Sequence, residues 1–178
     1  MRKALYILGQ LNDSDVEWLA ANGECRRLSD GEIIVREGEA LETLFITLDG
    51  KLEVTLADGQ AVAMLGAGEV VGEIAFVDTA PPSATVGAIG QAAVLALPKS
   101  AIQHRLTSDD GFAARFYRAL AIFLADRLRT TTRRLGYGRT GDLQSETMLE
   151  DELDVHVLDT VAQAGDRFTR LLQRLSGR

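Results

Sequence analysis

GEIAFVDTAPPSATVGA, residues 72–88, opens on a Gly-Glu step and closes on a small-residue strand, Ser83-Ala84-Thr85-Val86. Between them lie a short apolar turn, Ile74-Ala75-Phe76, and a double proline, Pro81-Pro82. The stretch sits inside a region of uniform texture. From Gly31 to about Leu97 the chain reads as short runs bounded by glycine turns: EIIVREG, LFITLDG, KLEVTLADG, QAVAMLG, ATVGAIG and QAAVLALP. Each is rich in Val, Ile, Leu or Phe, and Asp49-Gly50 and Asp58-Gly59 are both hairpin signals. Short strands at this spacing predict an antiparallel sandwich or barrel. The expected core is a β-roll.

Helices flank it. SDVEWLAANGE begins with Ser14, a good helix cap, sets Val16, Leu19 and Ala20 on one side, and ends at Gly23. After Pro98, Phe112, Phe116, Leu120, Phe123, Leu124, Leu128 and Leu135 recur at steps of three and four or their sums, predicting one long amphipathic helix stopped by Gly136-Tyr137-Gly138. A further helix carries Val157, Val161, Ala164, Phe168, Leu171 and Leu175 as a heptad seam, which suits either a coiled coil or a helix docked on the roll. Two parts are expected: residues 1–138, the roll with its long helix, and residues 139–178, an acidic segment with an amphipathic helix. The fold class is mainly β with flanking α-helices, an antiparallel, jelly-roll-like β-roll.

The 178 residues are enough to bury a sizeable core, and 46% hydrophobic with 25% charged residues reads as globular. No apolar run approaches the ~18–20 residues that span a bilayer. The opening MRKALYILGQ lacks a cleavage pattern, so no signal peptide is expected. Cys25, alone, excludes an internal disulfide and fits a reducing cytoplasm. Net charge is −7, distributed unevenly. Arg115 to Arg139 holds seven arginines and one acid, Asp126, whereas Asp142 to Asp159 holds seven acids and no Lys or Arg. Such blocks can pair, within a chain or between copies, or stay solvated.

Helix, β-roll and long helix in this order, with a Gly-Glu turn late in the roll, resemble the cyclic nucleotide-binding domain of catabolite activator proteins, kinase regulatory subunits and gated channels. The matching pieces are DGEIIVREGE, LFITLDGKLEV, LGAGEVVGEIAF and PPSATVGA, over roughly Leu8 to Leu135. The resemblance implies a small-molecule sensor with cyclic AMP or cyclic GMP as effector and no required cofactor or metal. Gly72 would let the backbone approach a ligand closely. Residues Glu73, Ile74, Ala75 and Phe76 can form a helical turn whose free amides face a phosphate. Glu73 repels a phosphate but suits a ribose hydroxyl, the role the family gives it.

The family reads Pro-Arg where this chain has Pro81-Pro82, and that arginine holds the cyclic phosphate. Proline offers neither a cation nor an amide. By the match, Arg127 on the long helix approaches the Glu73 region, with an ordinary exposed helix arginine as the alternative. Thr131 and Thr132 offer hydroxyls to a purine edge, or simply pack. Ser83, Ala84 and Thr85 keep the pocket strand, and Val62 and Val71 wall the base.

Two functions compete: a sensor that signals through its C-terminal helices to a protein partner, and a ligand-free dimerisation scaffold, which Pro82 favours. A homodimer through the long helix is expected, without DNA or membrane, since the segment after Gly138 is acidic where a phosphate-binding surface needs the opposite charge. Enzyme chemistry is not expected. His104 and His156 are the only histidines, and no metal-ligand spacing, nucleophile elbow or phosphate-loop lysine occurs.

Overall fold

A computed structural model describes residues 8–78, 80–137 and 155–176. Helix α1 (Asp13–Asn22) leads into strands β1 (Glu24–Leu28), β2 (Ile33–Val35), β3 (Thr43–Thr55), β4 (Ala61–Leu65) and β5 (Val70–Val71). A 3-10 turn (Ile74–Phe76) and strand β6 (Thr85–Pro98) follow, then α2 (Lys99–Ser108), α3 (Asp110–Tyr137) and α4 (Val155–Ser176). All pairings are antiparallel.

Two long strands organise the sheet, in place of the four short runs read from the sequence. β3 and β6 pair along most of their length, from Thr43 opposite Pro98 to Thr55 opposite Thr85. The Asp49-Gly50 hairpin is therefore corrected to a bend inside one strand. The register slips on either side of Asp49, and Gly50 sits at φ +80°. A side chain there would lie 2.5 Å from the Gln91 carbonyl oxygen. Opposite it, Gly90 bends β6 at φ +66°, where its amide donates to Asp30 Oδ1 (2.6 Å). Asp58-Gly59 does make a turn, joining β3 to β4, with the Gln60 amide donating to Asp58 Oδ1 (2.9 Å).

The bends divide the sheet into two faces. On one, β1 and the C-terminal half of β6 pair with each other, and the N-terminal half of β3 lies between β6 and β5. On the other, β2 pairs with the start of β6 and β4 with the end of β3. Strand alternation then builds two cores from the same strands. Phe45, Val94 and Ala96 face the roll interior with Leu28, Leu52, Leu65 and Val71, while Leu44, Ile46, Leu95 and Leu97 face the helices. Strand β1 escaped sequence reading because ECRRL carries charges on an edge strand, and only Leu28 is buried.

Helix α1 starts two residues earlier than Ser14 implied. Asn12 is its cap, accepting from the Asp15 amide (2.9 Å), while Asp15 accepts from the Asn12 amide (3.0 Å), a reciprocal capping box. Helix α2 was not anticipated, since only Ile102 on it is buried. In α3, Phe112, Phe116, Leu120 and Phe123 are buried in the helix-side core, each worth about 1.5–3 kcal/mol of apolar burial. Leu128, by contrast, is 69% exposed, and α3 continues through Gly136 to Tyr137. Helix α4 packs on α1: Ala164 and Leu171 are buried in the core cluster that includes Val16 and Ala20 of α1. Gly138, the acidic block up to Asp154, and the side chains of Leu135, Val157 and Val161 lie outside the described residues. No described helix is long and apolar enough to cross a membrane.

Candidate functional site

β5 sets the site. Its two valines pair with Phe45 and Ile46 of β3, so the chain leaves the sheet at Gly72 from a fixed position. Gly72 has φ +90°, and a Cβ there would lie 2.7 Å from the Thr43 carbonyl oxygen and 2.8 Å from Leu41 Cδ2. The close approach that glycine permits is thus to β3 of the same chain; this is what requires the residue. Glu73 follows with its side chain 2% exposed, and the 3-10 turn begins. The turn uses the amides of Phe76 and Val77 for its own bonds to Glu73 and Ile74, which leaves those of Ile74 and Ala75 as donors it does not consume. Phe76 packs edge-on against Phe116 of α3 (5.5 Å between centroids), and this contact presses the turn onto the long helix.

Arg127 of α3 forms an ion pair with Glu73. Its guanidinium also lies 5.6 Å from the Phe123 ring centre. Burial pushes the Glu73 carboxyl above its ordinary value of 4.5, while the Arg127 charge and the amides of Glu73 and Gly72 pull it down without cancelling the rise. The sign of the linkage follows. A carboxyl raised in the folded state adds stability below its ordinary value, and that contribution is lost as pH rises through the folded value. The stability of the native chain relative to Glu73→Gln should therefore fall as pH is raised from about 4 to 7, in denaturant titrations at each pH. A flat difference would contradict the buried-charge assignment.

The remaining residues are placed unevenly. Val71 is buried on the roll interior and Ala84 packs partly against the same cluster, as do Ile34, Leu41 and Ala63, none of which the sequence singled out. Val62 is 40% exposed, at the point where β4 slips against β3, and Ala63 packs on the interior cluster. Ile74 is 47% exposed and Ser83 is exposed. Thr85 accepts a hydrogen bond from the Glu37 amide (3.1 Å), and the Pro82 carbonyl accepts one from the Gly38 amide (2.8 Å). The loop after β2 is thereby fastened to the double-proline segment, a contact with no sequence signal. Thr132 is exposed on α3, and the Thr131 side chain lies outside the described residues. Among the described residues no cluster of His, Cys, Asp or Glu could hold a metal ion.

A β-roll flanked by a long helix, with a glycine-led turn carrying a buried carboxylate that faces an arginine of that helix, is the arrangement these residues build. Residues 25–109 match the family model of the cyclic nucleotide-binding domain. A cAMP-dependent protein kinase regulatory subunit of Colletotrichum orbiculare is 29% identical over 93 residues, covering 52% of this chain and 24% of that protein. The matches span less than a quarter of the length of this and two other curated relatives. Among solved structures, a cyclic nucleotide-binding domain from Methylobacillus flagellatus aligns with TM-score 0.69 at 22% identity, covering 79% of this chain and 85% of that one. The Thermus thermophilus catabolite activator protein aligns with TM-score 0.61 at 22% identity, over 97% and 87%. At these identities the two structures speak for the fold.

Proposed function

We propose that this chain is a sensor of a cyclic-nucleotide effector, cyclic AMP or cyclic GMP, that signals through α3. The observation that carries this reading is the ion pair of buried Glu73 with half-exposed Arg127, which ties the turn after β5 to the long helix. Glu73 would accept a ribose hydroxyl, the amides of Ile74 and Ala75 with Arg127 would meet the phosphate, and Val71 and Ala84 would lie beside the base. Ser83 and Thr85 flank the phosphate, with Thr131 and Thr132 next along the helix. Ligand and Glu73 then share Arg127, and an effector that binds one helix position better than another shifts the population of the two. Isothermal titration of the whole chain with each nucleotide tests this. Glu73→Ala is expected to weaken binding by about one to two decades, from the loss of a hydrogen bond to a charged group. Unchanged affinity would remove Glu73 from the site. Pro82 favours a second reading, a scaffold of the same fold without ligand, which titration of both nucleotides without heat would support.

We further propose a homodimer through α3. Most of the apolar face of α3 is covered within the chain, since Phe116, Leu120 and Phe123 are buried. What remains is Tyr117, 45% exposed, and Leu128, 69% exposed, a smaller patch for a second copy. Light scattering is expected to show a dimer at micromolar concentration and a monomer for Leu128→Glu; a monomeric native chain would overturn the proposal.

A further inference from the structure

Asp15 is fully buried, and each of its carboxylate oxygens accepts two hydrogen bonds. Oδ2 takes the Asn12 amide (3.0 Å) and Arg115 Nε (2.6 Å); Oδ1 takes Arg115 Nη2 (3.0 Å) and Arg105 Nη2 (2.9 Å). Four donors fill the capacity of a carboxylate. The three side chains come from three helices: Asp15 from α1, Arg105 from α2 and Arg115 from α3. Arg105 is further gripped between the rings of Trp18 (4.7 Å) and Phe112 (4.2 Å), one on α1 and one on α3. Where α2 meets α3, Asp109 accepts from the Phe112 amide (2.8 Å) and lies 3.7 Å from Arg105.

Apolar packing alone would let helices slide by a fraction of a turn. A buried carboxylate in a fixed fork does not permit this, because a slipped arginine leaves a charge without partner or water. The helix that carries Arg115 into this joint also carries Arg127 to Glu73, and α1, on the other side of the joint, carries α4. Arg167 donates to Asp13 (2.8 Å) and to the carbonyls of Leu8 and Gly9 (3.1 and 3.2 Å), Arg170 pairs with Asp13 (2.8 Å), and Arg174 with Glu17 (3.3 Å).

We propose that Asp15 is a positioning residue that makes α1, α2 and α3 one body, and that α4, seated on α1, moves with that body when the Glu73–Arg127 pair changes. The first half stands on the geometry alone; the second rests on the effector reading above. Hydrogen exchange of the whole chain tests the joint. Asp15→Asn is expected to speed exchange of residues 13–22 and 155–176 together, by about tenfold or more, while β2 and β4 keep their rates. If that variant does not fold, Arg115→Gln, which leaves Arg105 on Asp15, serves instead. Faster exchange in α1 with α4 unchanged would overturn the joint. For the readout, the single, exposed Cys25 on β1 and a Thr169→Cys substitution on α4 give a spin-label pair. Saturating cyclic AMP should shift the distance between them, and Arg115→Gln should abolish the shift. Binding in the titration without a shift overturns the α4 readout. No binding overturns the effector reading and the readout with it, while the exchange result still decides the joint.

Discussion

Gly50→Ala should destabilise the chain by about 2–5 kcal/mol, the sum of a left-handed backbone penalty and a forced overlap. The overlap is with main chain, the Gln91 carbonyl oxygen at 2.5 Å and Ala92 Cα at 2.6 Å, so no side-chain rotation relieves it. Gly59→Ala provides the contrast. Gly59 has nearly the same conformation, φ +83°, but nothing lies within 4 Å of its Cβ direction. Only the backbone penalty of about 1–2 kcal/mol remains. Urea denaturation of the two variants separates them, and equal losses would mean that β3 does not bend at Gly50.

The same pair shows where sequence reading fails. Asp49-Gly50 and Asp58-Gly59 are the same dipeptide between apolar runs, and a local rule gives both the same hairpin. What distinguishes them is non-local: β6 runs past Gly50 and bends at Gly90 in step with it, whereas the chain reverses at Gly59. The roll was legible because the apolar runs on β3 and β6, buried over long stretches, are broken by glycines. α2 was not, because one buried residue, Ile102, makes no periodic pattern. At the site, the Gly-Glu step was found through the family's order of elements, since Gly31-Glu32 and Gly68-Glu69 are the same dipeptide before apolar residues. Arg127 needed the family's register, since nothing in the helix distinguishes it from Arg118 or Arg129. The Asp15 joint had no signal at all. Its partners lie 90 and 100 residues away, and Asp15 reads locally as part of a helix cap.

The double proline bears on what the site takes. Pro82 supplies no amide and no charge, and its carbonyl is held by Gly38. A phosphate in this roll would therefore depend on Arg127, which Glu73 already engages. Sharing one cation between two anions weakens each interaction, so nucleotide affinity in the native chain should be modest. Pro82→Arg would give the phosphate a partner of its own and is expected to tighten cyclic-nucleotide binding by about one to two decades, the worth of a charge-assisted hydrogen bond of roughly 1.5–3 kcal/mol. Titration with Arg127→Gln in both backgrounds sharpens the test. Loss of Arg127 should cost the native chain most of its binding and the Pro82→Arg chain much less, because the second arginine then carries the phosphate. A ligand without phosphate reverses the sign. Arginine beside an apolar wall would add an unpaired charge, and Pro82→Arg would weaken binding instead. The direction of one affinity change thus separates a site for cyclic nucleotides from a site for another small molecule, and the Arg127 comparison shows which cation the anion meets.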